Sequence, residues 1–226
     1  MNPEEVSPSV DELLADAYAL DGPDASRSLY ARWADTYESG FIASSGYIYH
    51  DQVATVFAQR CLDHLDPSDA IVDIGCGTGL VGESLRQHTE IPIDGIDISP
   101  EMLGQAARKQ HGGLPIYRTL IEADLTRPLP IADDAYGAAI SVGTFTHGHV
   151  GPAALTEVIR IVRPAGRIAV GINAAHFASA GFADAFDELV QLRRIEGLEW
   201  TELPIYVGAD GENADQVARI ATFDVT

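Results

Sequence analysis

The feature that most constrains the fold is a glycine-rich turn placed between an apolar stretch and a helical pattern. The largely apolar residues 70–74 run into Gly75, Gly77 and Gly79, and a helix-like pattern follows directly. Glycine adopts backbone angles that other residues avoid, and its lack of a side chain lets a ligand approach the main chain closely. A strand, a glycine turn and a helix in this order indicate an α/β fold that holds a nucleotide at the turn.

Strand and helix patterns alternate along the rest of the chain. Alternation requires crossover connections, so the sequence predicts a doubly wound, seven-stranded, mostly parallel sheet with helices on both faces, a Rossmann-like fold. About ten residues separate the last two strands, too few for a helical crossover, and the final strand is therefore predicted to be antiparallel. The predicted strands are residues 70–74, 93–98, 116–123, 136–142, 167–172, 199–207 and 217–225.

The N-terminal part of the chain carries helical patterns but no clear strand pattern. A short helix is expected over residues 10–20, and a longer one over residues 26–38. We expect residues 1–50 to form a helical cap and residues 51–226 to form one compact α/β unit.

Aromatic residues are concentrated in this predicted cap. Those at helical spacing within residues 26–38 form a stripe that either covers a ligand or packs into the core. A second group lies between the N-terminal helices and is a candidate lid or wall of a substrate site. The stripe consists of Tyr30, Trp33 and Tyr37, and the second group consists of Tyr47, Tyr49 and His50.

A carboxylate closes the second predicted strand about twenty residues after the glycine turn. Asp97 lies at the strand end that borders the ligand crevice in this topology, where it can accept hydrogen bonds from both hydroxyls of a ribose. Residues 77–82, GTGLVG, also match the dinucleotide fingerprint, which leaves a dinucleotide-dependent oxidoreductase as an alternative. The position of the motif disfavours a dinucleotide-binding site, because the first tight turn falls at Gly75 and Gly82 lies inside the helix. Asp73 suits a ligand with a cationic sulfonium better than a pyrophosphate.

Charge and hydropathy exclude several classes of partner. The net charge is −20 and no basic cluster is present, so a nucleic-acid substrate is disfavoured because its phosphates require Lys and Arg. No stretch approaches the roughly 18 apolar residues of a membrane span. Residues 1–20 lack the basic and apolar regions of a signal peptide, and the sequence therefore predicts a cytoplasmic location without a membrane partner. Nothing in the sequence indicates an oligomeric state.

Taken together, these motifs resemble the class I S-adenosylmethionine-dependent methyltransferases. The resemblance covers roughly residues 30–175. One departure is Pro164-Ala165-Gly166, where the family usually has Pro-Gly-Gly at a surface turn. A closer resemblance, to Williams–Beuren-region methyltransferase-like proteins, rests on LYARWADTYE and VGTFTHGHVGPAAL. The family motifs are matched by VDIGCGTGL at 72–80, DGIDISPEML at 94–103, residues 121–142 and residues 160–172.

The resemblance implies S-adenosyl-L-methionine as cofactor and methyl transfer to a small molecule as activity. A non-catalytic protein that binds S-adenosylmethionine remains an alternative. The glycines of the turn would hold the methionine part, Asp73 would lie near the sulfonium or amino group, and Asp97 would bind the ribose. The other implied cofactor residues are Ile98 packed on the adenine, Asp124 and Leu125 near its amine, Val142 at the end of the fourth strand, and Tyr30, Trp33 and Tyr37 in a covering helix.

Two histidines follow the fourth predicted strand, at the crevice where the methyl group should point. His147 and His149 are flanked by glycines and threonines. A histidine suits general-base catalysis because it exchanges protons near neutral pH. Either residue could instead cap the next helix or face solvent. No third ligand follows at a recognisable spacing, so no metal site is predicted.

Overall fold

The main sheet has the predicted architecture. The computed structural model describes residues 22–146, 149–207 and 216–226, so the helix expected over residues 10–20 lies outside them. The described residues form a seven-stranded sheet in the order β3-β2-β1-β4-β5-β7-β6. Its strands are β1 Ile71–Ile74, β2 Ile93–Asp97, β3 Thr119–Glu122, β4 Tyr136–Phe145, β5 Val162–Asn173, β6 Ile195–Pro204 and β7 Val217–Val225.

Strand direction also follows the prediction. β1 pairs in parallel with β2 and β4, β2 pairs in parallel with β3, and β4 with β5. β7 inserts antiparallel between β5 and β6. The predicted Rossmann-like fold with an antiparallel final strand is therefore confirmed. The strand order changes direction between β1 and β4. The glycine turn lies at this point, at the carboxyl end of β1, where such sheets bind ligands.

Helices cover both faces of the sheet and the edge above the glycine turn. A π-helical turn, Tyr37–Ile42, and one α-helical turn, Ala43–Ser45, join the first two helices. Within the described ranges, no helix combines the length and apolarity that crossing a bilayer requires. The helices are α1 Pro23–Trp33, α2 Tyr49–Cys61, α3 Leu80–Leu85, α4 Pro100–Ala106, α5 Leu155–Ile161, α6 Ala174–Ser179 and α7 Phe182–Gln191.

Two element boundaries differ from the sequence prediction for local reasons. The helical pattern of the sequence predicts a last helix over residues 182–195, but Arg193 has a positive φ of 52° and its N–H bonds to the carbonyl of Val190, which ends α7. As a consequence β6 begins at Ile195. The third strand was expected from residue 116, but residues 110–115 form a small antiparallel hairpin and β3 begins only at Thr119.

Alternate residues of the strands face two separate apolar layers. In β1, Ile71 packs into the layer formed with α2 and α3, and Val72 packs into the layer formed with α5 and α7. Phe57 of α2 and Phe182 of α7 are fully buried, one on each face. Both faces of the central strands are therefore covered, which explains their nearly continuous apolar sequences.

The C-terminal end of the N-terminal helical segment is hydrogen-bonded to the residues that follow β6. The N–H of Ile48 donates to the carbonyl of Ile205 over 3.1 Å, and the N–H of Val207 donates to the carbonyl of Gly46 over 2.9 Å. Gly46 has a φ of 67°, and a Cβ there would lie 2.2 Å from the carbonyl oxygen of Val207, so only glycine fits. Helix α2 crosses residue 50, and the division into a cap of residues 1–50 and a unit of residues 51–226 stays a proposal.

Candidate active site

The glycine turn is a tight backbone cradle at the carboxyl end of β1. Gly75, Gly77 and Gly79 have positive φ values of 70°, 54° and 91°, which other residues rarely adopt. The N–H groups of Gly75 and Cys76 both donate to the carbonyl of Ile96 in β2, over 2.8 and 2.9 Å. A Cβ on Gly77 would meet nothing within 4 Å, so this glycine borders open space that a ligand can occupy.

Alanine substitutions should separate packing from ligand access in this turn. A Cβ on Gly75 would lie 1.9 Å from Oγ1 of Thr144, whereas Gly77 has room for one. We expect Gly75→Ala to lower the free energy of unfolding by about 1–3 kcal/mol more than Gly77→Ala, the usual cost of overpacking. Urea unfolding of the two variants measures the difference. Equal destabilisation of the two variants would contradict the close approach of Thr144 to Gly75.

Asp97 connects the glycine turn to the end of β2. Its Oδ2 accepts a hydrogen bond from the N–H of Gly77 over 2.8 Å, and its Oδ1 accepts one from the N–H of Ser99 over 2.9 Å. Burial raises the pKa of this carboxyl, and these backbone hydrogen bonds oppose the increase. A carboxylate offers about four lone-pair positions, so acceptor capacity remains for ligand hydroxyls.

Asp73 lies directly behind the turn and is fully buried. Its Oδ2 accepts a hydrogen bond from the Tyr117 hydroxyl over 2.7 Å. Its Oδ1 is buried and has no hydrogen-bond partner among the residues that the structure describes. Burial raises the pKa of Asp73 to about 7, although the Tyr117 hydrogen bond lowers it. The unpartnered oxygen is suited to a donor or cation supplied by a ligand.

The raised pKa of Asp73 should make the stability of the ligand-free protein depend on pH. Because the pKa is about 7 when folded and 3.8 ordinarily, the folded state holds an extra proton between these values, and stability falls as pH rises through this window. The slope from this group is at most about 1.4 kcal/mol per pH unit. We expect Asp73→Asn to reduce this pH dependence of the free energy of unfolding, as measured by urea unfolding at several pH values. An unchanged slope would show that Asp73 does not titrate there.

Most of the predicted cofactor residues line one pocket beside the turn, called here the nucleotide pocket. Trp33, Asp73 and Gly79 are not in its lining: Trp33 packs on Met102, and a Cβ on Gly79 would face Tyr117. His147 lies outside the described residues. The predicted residues that do line the pocket are Tyr30, Tyr37, Gly75, Gly77, Asp97, Ile98, Asp124, Leu125, Val142 and His149.

A second pocket, the aromatic chamber, adjoins the nucleotide pocket. The two share Tyr30, Tyr37, Tyr47, Gly143 and His149. In the described part of its wall there is no Asp, Glu, Lys or Arg side chain. The remaining lining residues are Trp33, Phe41, Tyr49, Phe145, Thr146, Gly171, Asn173, Ile205 and Tyr206.

The sequence predicts such a wall from Tyr47, Tyr49 and His50. Tyr47 and Tyr49 line the chamber and His50 does not, and the contributions of β4, β5 and the residues after β6 were not predicted. Phe145, Asn173 and Tyr206 come from distant parts of the chain and reach the chamber only in the folded state. Their local patterns are those of ordinary strand residues, so no sequence signal identifies them as lining residues.

His149 lies at the junction of the two pockets. Its Nε2 is 2.7 Å from the Tyr30 hydroxyl, and the ring centroids are 5.6 Å apart. The pair joins the loop after β4 to helix α1 among the residues that line both pockets. A proton can be exchanged between the imidazole and the hydroxyl of this pair. Across residues 22–146, 149–207 and 216–226, no three His, Cys, Asp or Glu side chains group as a metal site.

Comparison with known proteins gives a consistent result. Residues 71–166 match a family described as a methyltransferase domain. Human methyltransferase-like protein 27 is 33% identical over 168 residues, which are 71% of this chain and 64% of that protein. The yeast 18S rRNA (guanine(1575)-N(7))-methyltransferase is 34% identical over 95 residues, 42% of this chain and 33% of that protein. The structure of magnesium protoporphyrin IX methyltransferase from Synechocystis with bound S-adenosylmethionine superposes with a TM-score of 0.66 at 19% identity, covering 92% and 99% of the two chains.

These similarities support the resemblance without fixing a substrate. The chain spans less than two thirds of the length of the curated relatives named above. The structural likeness, at 19% identity, concerns the fold. The family match confirms the predicted resemblance and the predicted cofactor. The acceptors in the relatives' names range from a nucleic acid to a porphyrin, so the acceptor must be argued from this chain's own residues.

Proposed function

We propose that this chain, which carries a class I S-adenosylmethionine-dependent methyltransferase domain, transfers the cofactor's methyl group to a small molecule. The observation that carries the proposal is the junction of the two pockets. One pocket has the glycine turn and Asp97, the other has aromatic walls, and the two adjoin at residues that line both, among them His149 and Gly143. In-line methyl transfer needs this geometry, because donor and acceptor must meet end to end.

The residues of the nucleotide pocket fit the cofactor. Gly77 borders open space, and Asp97 has acceptor capacity for two ribose hydroxyls. Asp73 lies behind the turn and outside the pocket lining, and its predicted place near the ammonium group of the methionine part stays a proposal that rests on its buried Oδ1, which has no partner among the described residues. When bound, the cofactor supplies an activated methyl group and a good leaving group. In this proposal Ile98 and Leu125 contact the adenine, and Asp124 lies near its amine.

The charge distribution supports a small molecule over RNA. The net charge of −20 repels a phosphate backbone, whereas a nucleic-acid surface requires Lys and Arg. The aromatic chamber adds no cationic side chain within its described lining. The yeast relative acts on rRNA according to its name, but the shared 95 residues are 33% of that protein.

His149 is the group we propose to accept a proton from the acceptor. It lines both pockets and is hydrogen-bonded to Tyr30, which orients the imidazole. His147 remains a second candidate from the sequence. A base is needed when the acceptor is a hydroxyl or a protonated amine, since these are poor nucleophiles while they hold their proton.

A labelled methyl group tests this function. The full chain is incubated with methyl-labelled S-adenosylmethionine and separate fractions of small metabolites, total RNA and protein from cell extract. We expect label only in the small-metabolite fraction and loss of transfer in Asp97→Ala. Label in RNA or protein would overturn the small-molecule proposal. Tight cofactor binding without transfer to any fraction would favour the non-catalytic alternative.

A further inference from the structure

We infer that the methyl acceptor is an uncharged, planar aromatic molecule that carries a hydroxyl group, an inference that rests on the proposed function. In the proposed function the cofactor occupies the nucleotide pocket, which leaves the aromatic chamber for the acceptor. Its walls therefore report the shape and polarity of the second substrate. Three properties of these walls define the acceptor: flat apolar surfaces, hydroxyl groups and the lack of formal charge.

The flat surfaces come from a continuous run of rings in the N-terminal segment. Tyr37 stacks on Phe41 with ring centroids 5.6 Å apart and on Trp33 with centroids 6.2 Å apart. The run continues from Phe41 to Tyr47, 6.5 Å away, and from Tyr47 to Tyr206, 5.7 Å away and just after β6. Aromatic pairs prefer offset-stacked and edge-to-face arrangements over random contacts. A chamber lined by this continuous aromatic cluster favours a flat ring over an extended aliphatic chain.

The polarity of the chamber is limited to neutral groups. Tyrosine hydroxyls from Tyr30, Tyr37, Tyr47, Tyr49 and Tyr206 belong to lining residues. The Tyr49 hydroxyl is buried and has no hydrogen-bond partner among the described residues, so a ligand hydroxyl could satisfy it. A buried polar group that gains such a partner stabilises the complex.

Formal charge on the acceptor is disfavoured by what surrounds the chamber. An anion would find no Lys or Arg in the described lining, and a cation would find no carboxylate. The chain's single lysine, Lys109, pairs with Glu38 at 3.1 Å and Glu83 at 2.6 Å and lines a different pocket of the protein. Moving an unpaired charge into such a chamber costs several kcal/mol or more.

The Tyr30–His149 pair, which lines both pockets, then indicates which reaction takes place. The acceptor hydroxyl gives its proton to the Tyr30–His149 pair while its oxygen forms a bond to the methyl carbon. The bond between that carbon and the sulfonium sulfur breaks, and its electron pair returns to sulfur. The products are the methyl ether, adenosylhomocysteine and one proton, so atoms and charge balance without a further reactant.

Matched ligands separate these properties. With the full chain saturated by adenosylhomocysteine, calorimetry compares 4-methylcatechol, the anion 3,4-dihydroxybenzoate and the non-aromatic cyclohexane-1,2-diol. We expect 4-methylcatechol to bind at least about 10-fold more tightly than either of the others, since a tenfold preference corresponds to a modest difference in contacts. Equal or tighter binding of the anion or the aliphatic diol would overturn the inference. If the chain binds adenosylhomocysteine but does not bind 4-methylcatechol, the inference is also overturned. That result leaves the proposed function intact.

A charge placed in the chamber should reverse the preference. Thr146 is half-buried in the lining, and only its backbone appears in described hydrogen bonds, so Thr146→Arg adds a cation with little disturbance. We expect this variant to prefer 3,4-dihydroxybenzoate over 4-methylcatechol. Thr55→Arg, on the exposed face of α2, is the matched control and should bind like the original chain. An unchanged preference in Thr146→Arg would overturn the inference, and if that variant fails to fold, the ligand ranking of the original chain decides it.

Discussion

Replacing His149 with glutamine is expected to lower the rate of methyl transfer by roughly 10²–10⁴-fold, the usual contribution of a general base. Glutamine is similar in reach and can keep a hydrogen bond to Tyr30, but it cannot accept a proton at neutral pH. His149 lines both pockets and lies 2.7 Å from the Tyr30 hydroxyl. Cofactor affinity should change far less than the rate, because glutamine fills a similar volume in the lining of the nucleotide pocket.

Two further variants distinguish catalysis from structure. Tyr30→Phe should lower the rate less than His149→Gln and shift the pH–rate profile, because the imidazole loses its hydrogen bond to the Tyr30 hydroxyl but remains in place. His88→Gln, on the exposed surface, should retain the full rate. His147→Gln is measured in parallel. Full activity of both His147→Gln and His149→Gln across pH would contradict the general-base proposal. It would favour an acceptor that is already ionised, such as a thiolate or an enolate.

Asp97→Ala should weaken the binding of adenosylhomocysteine by at least about 100-fold. Hydrogen bonds to a charged group contribute about 1.5–3 kcal/mol each, and a ribose would lose two of them. The substitution also removes the acceptor for the N–H groups of Gly77 and Ser99, which hold the turn against β2. Calorimetry measures the affinity, and circular dichroism checks that the variant is folded.

Asp97→Asn is the matched control for this loss. The amide keeps the size of the carboxyl group and one acceptor oxygen but removes the charge, so its affinity should lie between those of the original chain and of Asp97→Ala. An affinity unchanged in Asp97→Ala would show that the ribose binds elsewhere. A complete loss of folding in both variants would instead assign Asp97 a role in holding the turn.

The sheet and the turn could be predicted because their signals are local. The alternation of patterns, the three glycines of positive φ and Asp97 each lie within a few residues of the element they define. Ser99, directly before Pro100 at the start of α4, illustrates this: its Oγ accepts a hydrogen bond from the N–H of Met102 and caps the helix. Such features depend on neighbouring backbone groups and not on distant contacts.

The aromatic chamber could be predicted only in part, since distant contacts form it. Helical spacing groups Tyr30, Trp33 and Tyr37 on one stripe, but α1 ends at Trp33 and a π-helical turn begins at Tyr37. The widened turn places Tyr37 against both pockets, whereas Trp33 lines the chamber alone. Tyr206 joins them through its bridge to Tyr47, a pairing between residues far apart in sequence. Periodicity carries no information about such pairings.

The central claim is that the glycine turn and Asp97 hold S-adenosylmethionine and that the adjoining chamber receives its methyl group. Calorimetry of the full chain with adenosylhomocysteine, and separately with NAD, tests this claim most directly. The account predicts one adenosylhomocysteine per chain, with affinity strongly reduced in Asp97→Ala, and no measurable binding of NAD. Binding of NAD in preference to adenosylhomocysteine, or binding of neither, would contradict it.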